Sequence, residues 1–138
     1  DLAETYELGI RVENSQDIDC TPLRTLMQRV RKADVAVCLD VGHASLVGQS
    51  PDEFVLAMGS NRLGALHVHD VSKTEDSHTI PYQGVIDWPK LMQALRKIGY
   101  QGDLTFEPDG FINKTPPELY PDALRLLART GNLLMKEM

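Results

Sequence analysis

The chain has 138 residues, 42% of them apolar and 25% charged, with a net charge of −6. That composition suits one domain with a proper core and excludes a disordered, collagen-like or coiled-coil chain. No apolar run approaches the roughly 18 residues that a membrane span needs, and the acidic balance gives no general attraction for phosphate backbones. The nearest thing to a basic patch is Arg29, Arg31 and Lys32, at the end of a predicted helix, where positive charge complements the helix dipole. Cys20 and Cys38 are too few for a disulfide framework and fit a reducing, cytoplasmic setting. There is no signal-peptide pattern, and the opening at Asp1 reads as the middle of something longer.

Short apolar strands alternate with amphipathic helices. The first strand is expected over Leu8 to Glu13, followed by a polar loop through Cys20. Thr21-Pro22 reads as a helix start, Thr as N-cap and Pro in the first turn, with Leu23, Leu26, Met27 and Val30 on one face. The second strand is Val35 to Asp40. Ser50-Pro51-Asp52-Glu53 has the form of a capping box, opening a helix that runs to about Met58. The third strand is Leu63 to Asp70, and a long polar loop from Val71 to Ile86 follows. Asp87 caps a helix carrying Leu91, Leu95 and Ile98 and closed near Gly99. The fourth strand is Asp103 to Glu107, and the last helix runs from near Pro117 to Lys136. This βαβαβαβα order makes a parallel sheet with right-handed crossovers, either an open doubly wound sheet or part of a (β/α)8 barrel. No glycine-rich phosphate turn follows the first strand, which weighs against the dinucleotide-binding version.

Successive strand residues face opposite ways. Ile10 and Val12, Val37 and Leu39, Leu66 and Val68, and Leu104 and Phe106 give every strand one apolar face. The other faces carry Arg11 and Glu13, Cys38 and Asp40, His67 and His69, and Thr105 and Glu107. Taken singly, a carboxylate at a strand end is a solvated group or a helix cap, and a strand histidine is a satisfied core residue. Taken together, Glu13, Asp40 and Glu107 would repel one another when buried unless a cation sat between them. One histidine with three carboxylates suits a divalent ion such as Mn, Mg, Co or Zn. Alternation alone leaves His67 and His69 equally placed.

Leu39-Asp40-Val41-Gly42-His43-Ala44 resembles an L-D-x-G-H-A signature, and Leu66-His67-Val68-His69-Asp70 an H-x-x-D strand. Asp76-Ser77-His78, then Pro81, Gly84 and Ile86-Asp87-Trp88, is similar to a D-x-H loop ending in I-D-W. Ile98-Gly99-Tyr100-Gln101-Gly102 with Thr105-Phe106-Glu107 resembles an I-G-Y-D-G ending with its final glutamate. In this order the motifs resemble the xylose isomerase-like TIM barrels, in particular the sugar phosphate isomerase/epimerase group. The resemblance implies an α/β fold, a (β/α)8 TIM barrel of which this chain supplies about four β/α units, strands five to eight. Residues 1–138 would then be a single domain, the C-terminal half of a barrel, completed by the missing half or by a homo-oligomer.

By the same resemblance the metal ligands are Glu13, Asp40, His67 and Glu107, holding one divalent ion, with Glu13 and Glu107 also the catalytic acid–base pair. His43, Asp76 and His78 would contact substrate, with Asp76 orienting His78 or a neighbour. Gln83 departs from the family's usual turn, and Arg11 faces the barrel interior, toward an anionic substrate or a carboxylate. The implied activity is isomerisation or epimerisation of a sugar, sugar phosphate or polyol ketone through a metal-stabilised enediolate. One alternative is an endonuclease IV-like zinc-dependent AP endonuclease, which uses the same ligand types; the acidic charge and the lack of a basic groove count against nucleic acid. Another is a non-catalytic metal-binding half-barrel.

Overall fold

The computed structural model describes residues 2–15, 19–30 and 34–138. Arg31 and Lys32 of the basic cluster lie outside them. The order is α1 (Leu2–Thr5), β1 (Ile10–Glu13), α2 (Thr21–Arg29), β2 (Val35–Asp40), α3 (Val41–Leu46), α4 (Pro51–Met58), β3 (Leu63–Val68), α5 (Trp88–Ile98), β4 (Thr105–Phe106), α6 (Asp109–Ile112), a 3-10 turn (Pro117–Leu119) and α7 (Tyr120–Glu137). Strands are thus shorter than the sequence pattern suggests at both ends of the chain. Three short helices, α1, α3 and α6, occupy stretches to which the sequence pattern gave no helix or strand.

The four strands are parallel and lie in chain order, β1-β2-β3-β4. A doubly wound sheet must reverse direction somewhere; this one never does. Repeated right-handed crossovers in one direction put every helix on the same face, which is the winding of a barrel wall. Val37, Leu39, Leu66 and Val68 point to that face and pack with Phe54, Val55 and Met58 of α4 and Leu91, Met92 and Leu95 of α5, all buried. The opposite face carries the polar residues.

One irregularity sets the register of the polar face. Val37 pairs with Leu63 but Cys38 pairs with Ala65, so Gly64 is an extra residue in β3. The bulge lets Leu63 and Leu66, three apart, share the core face, and it brings His67 opposite Asp40. A side chain at Gly64 has no room: a Cβ there would lie 2.6 Å from Arg11 Nε and 2.7 Å from Ala36 Cβ.

Two caps differ from the sequence expectation. Cys20, not Thr21, is the N-cap of α2, and the Thr21 N–H donates to Asp19 Oδ1 at 2.7 Å. Ser50 is the N-cap of α4, but its hydroxyl donates to the Asp52 carboxylate rather than to a backbone N–H. Asp52 is buried and lies 3.4 Å from Lys90 Nζ, so the expected capping box gives way to an α4–α5 link. Asp87 does cap α5, accepting from the Lys90 N–H at 3.1 Å, and Gly99 ends it in the left-handed region at φ 70°.

Candidate metal centre

The polar ends of the strands meet on one rim, at the C-terminal edge of the sheet. Glu13 ends β1, Asp40 ends β2, His67 lies next to the end of β3, and Glu107 directly follows β4. His67 Nδ1 is 3.2 Å from Glu107 Oε1 and 3.4 Å from Glu13 Oε2. It is nevertheless sealed from solvent with no hydrogen-bond partner. Donor atoms of Asp40, His67 and Glu107 all lie within 4.8 Å of one another, and Glu13, Asp40 and His43 form an overlapping group on the same scale. An orphaned ring nitrogen among three carboxylates fits a divalent cation, which would satisfy the nitrogen and offset the repulsion.

Asp40 is the most constrained of the four. It is fully buried and is the N-cap of α3, its Oδ1 accepting from the His43 N–H at 2.8 Å. Its own backbone is clamped by Asn14: the Asn14 Nδ2–H donates to Asp40 O at 3.0 Å, and the Asp40 N–H donates to Asn14 Oδ1 at 2.7 Å. His69 Nε2 approaches both carboxylate oxygens, at 2.9 and 3.0 Å. Burial acts to raise the Asp40 carboxyl, but the hydrogen bonds from His69 and the His43 backbone outweigh it and hold it below the ordinary carboxylate value.

Next to this centre stands a second group. Asp76 Oδ2 is 3.3 Å from His43 Nε2 and 3.3 Å from His78 Nε2. Each ring turns its other nitrogen to a carbonyl: His43 Nδ1 is 3.1 Å from Asn14 O, and His78 Nδ1 is 2.8 Å from Glu107 O. The three expected substrate-contact residues are therefore brought together. A cleft of about 500 Å³ opens beside them, lined by Ser15, His43, Leu46, Val47, Lys73 and Asp76 among others. A larger groove of about 560 Å³ holds none of these donors; it lies between β4 and α7, against Leu104, Phe106, Leu124, Leu127 and Met135.

The long loop that carries Asp76 and His78 is organised by Asp70. Its Oδ1 accepts from the Val71 N–H at 3.0 Å and the Ile86 N–H at 3.2 Å. Its Oδ2 accepts from the Tyr82 N–H at 3.0 Å and the Trp88 Nε1–H at 2.8 Å. Gly84 passes so close that a Cβ would lie 2.2 Å from Asp70 Oδ1. Gln83, the departure from the expected turn, accepts from the Thr79 hydroxyl at 2.8 Å.

Sequence reasoning passed over Asn14, weighed His69 only as the alternative ligand to His67, and used Asp70 only as a motif residue. The available signals were an amide immediately after Glu13, a second histidine on the His67 face, and an acidic residue at the end of an apolar strand. Arg11 takes the carboxylate option: it forms a two-pronged pair with Asp34, both contacts 3.1 Å, at the start of β2 and away from the rim.

The sequence model for the xylose isomerase-like TIM barrel matches residues 1–130. An uncharacterized protein of Methanocaldococcus jannaschii, MJ1311, is 29% identical over 115 residues, which are 78% of this chain and 39% of that protein. The D-psicose 3-epimerase of Enterocloster bolteae is 28% identical over 117 residues, 78% of this chain and 37% of the enzyme. A D-psicose 3-epimerase from Clostridium cellulolyticum H10, solved with D-tagatose, shares the fold with a TM-score of 0.71 at 18% identity, over 98% of this chain and 50% of that one. The chain thus spans half or less of the relatives it matches. A sheet wound in one direction, with its charged strand ends on one rim and the family model matched over residues 1–130, makes this chain a member of the xylose isomerase-like TIM barrel family.

Proposed function

We propose that this chain is the strand-five-to-eight half of a divalent-metal-dependent sugar epimerase or isomerase, with residues 1–138 forming one unit completed by a second half-barrel. The observation that carries the reading is His67 Nδ1, buried between the carboxylates of Glu13 and Glu107 without a hydrogen bond among the described residues. Glu13, Asp40, His67 and Glu107 would hold the ion. When bound, it supplies Lewis-acid stabilisation of negative charge on substrate oxygens. The similarity to a D-psicose 3-epimerase supports a ketose as substrate.

The rest of the chemistry falls to side chains. Glu13 and Glu107 come from the two edges of the sheet and reach the same point from different sides. One, as carboxylate, takes the proton from the carbon beside the carbonyl, leaving an enediolate. The other, as carboxylic acid, returns a proton to the opposite face, so the stereocentre inverts without change in composition. His43 and Asp76 line the adjoining cleft, with His78 3.3 Å behind Asp76, and this group would hold the sugar hydroxyls.

A second reading, a multi-zinc phosphodiesterase of the endonuclease IV kind, is favoured by one observation. If His43 and His78 donate through Nδ1 to their carbonyls, both Nε2 lone pairs face Asp76, as they would around a further cation. Metal analysis of the purified chain separates the two. About one ion per chain, lost in Glu107→Gln, together with deuterium uptake from D2O into a ketose, supports the epimerase. Two or three zinc ions per chain and cleavage of abasic DNA support the nuclease; a folded, metal-free chain overturns both.

A further inference from the structure

We propose that His69, which belongs to neither ligand set, is the positioning residue that aims Asp40 at the metal; this rests on the metal reading above. Its ring is fully buried in a protein whose other three histidines are partly exposed. The Nε2 edge meets both oxygens of Asp40, at 2.9 and 3.0 Å. One ring face stacks on His78, with centroids 3.8 Å apart and planes 4° from parallel. The backbone of Gly42 closes the Cε1 corner: a Cβ there would lie 2.1 Å from Cε1. Packed on these sides, the ring keeps its Nε2 edge on Asp40, to which the Nε2–H form donates, while Nδ1 is buried without a hydrogen bond among the described residues.

Asp40 needs such a partner. A buried carboxylate grouped with Glu13 on one side and with His67 and Glu107 on the other is repelled by both glutamates and needs a fixed donor to hold it in place. The His43 N–H takes part of Oδ1, and the His69 N–H reaches both oxygens on the same side, leaving the remaining lone pairs for the cluster of His67 and Glu107. Hydrogen bonds of this kind to a ligating carboxylate fix its rotamer, and their loss typically weakens metal binding roughly ten- to a hundred-fold. Through the stack, the same ring also sets the plane of His78. Substrate-side and metal-side groups therefore share one rigid support.

The test is a Co²⁺ titration of the metal-free 138-residue chain, read by visible absorption, beside His69→Phe and His69→Gln. Phenylalanine keeps the ring and the stack but removes the N–H; glutamine restores an N–H near the Nε2 position. His69→Phe is expected to bind Co²⁺ roughly ten- to a hundred-fold more weakly with a changed spectrum, while His69→Gln stays within a few-fold of the parent. Parent-like affinity and spectrum in His69→Phe would overturn the proposal and leave the metal reading intact. If His69→Phe does not fold, His69→Leu, which also lacks the N–H, is read in its place: weakening there with parent-like His69→Gln upholds the role of the N–H, and parent-like binding in His69→Leu overturns it. A parent chain that binds no Co²⁺ removes the metal reading and this proposal together.

Discussion

The Trp88 indole N–H donates to Asp70 Oδ2 at 2.8 Å, tying the first residue of α5 to the end of the strand region that precedes the long loop. Asp70 takes three backbone N–H groups besides, so one carboxylate closes a loop of more than a dozen residues at both ends. Asp70→Asn keeps the shape but turns an NH2 donor toward groups that are themselves donors. We expect it to cost about 1–3 kcal/mol in urea unfolding and to open the loop around Asp76 to limited proteolysis. Unchanged cleavage would show that the loop is held elsewhere.

Glu13→Gln and Glu107→Gln should behave differently from His43→Ala in the complete barrel. On the proposed mechanism the first two remove a proton carrier that is also a metal ligand, and we expect kcat to fall at least roughly a hundred- to ten-thousand-fold. His43→Ala leaves the acid–base pair intact and should act chiefly on KM. Deuterium exchange into the ketose, followed by NMR, reads the proton step directly.

Gly42→Ala tests the contact that seats His69. The added methyl overlaps the ring, and overpacking of this kind costs about 1–3 kcal/mol. The thermal midpoint should fall, and Co²⁺ affinity with it. A variant as stable as the parent would mean the ring can move aside.

Alkaline conditions should destabilise the metal-free chain through two buried acids. Burial, and then the charges of Glu13, Asp40 and Glu107, push the Cys38 thiol up to about 12. Burial, with Cys38 and Asp103 nearby, does the same to the Tyr100 phenol, also to about 12. Both groups hold their protons more tightly folded than unfolded, where they titrate near about 8.5 and 10. Their contribution is fully present below the unfolded values and is lost as pH rises through about 12. Urea midpoints should therefore decline from about pH 8.5 upward, and the decline should be shallower in Cys38→Ala/Tyr100→Phe. Cys38 should also resist a thiol reagent at pH 8 until urea is added.

The outer edges of the sheet make a fifth expectation. β1 and β4 each have a free side, and apolar groups lie exposed near both: Leu2, Leu8 and Ile10 by β1, and Leu124, Leu133 and Met135 on α7. Unpaired parallel edges beside apolar surface favour association. Sedimentation velocity should show mass rising with concentration, and Leu124→Glu should reduce it.

Much of this was legible in the residues. Strand–helix alternation gave the parallel sheet but left its winding open until the motif resemblance pointed to a barrel, and the four rim positions followed from period-two faces ending in acids and a histidine. The motif resemblance selected His67, and His67 rather than His69 meets Glu13 and Glu107. Other features depend on three-dimensional neighbours. The Ser50 hydroxyl had a standard capping sequence, but a buried Asp52 two residues on captured it. Alternation treated His67 and His69 alike because it assumes a strand through Asp70; β3 ends at Val68, and beyond it the period-two rule no longer governs direction. The Gly64 bulge left no mark that distinguishes it from any small residue in a strand.

The fit of Gly42 against His69 ties two positions that lie in different β/α units into one inherited choice. A histidine at 69 favours glycine at 42, because any other residue would push its Cβ against the ring. A lineage that gives up the histidine is freed to vary the glycine, while one that varies the glycine first loses the seat of Asp40. The order in which such changes accumulate is thereby constrained, and a glycine just past the end of β2 marks the presence of a ring just past the end of β3.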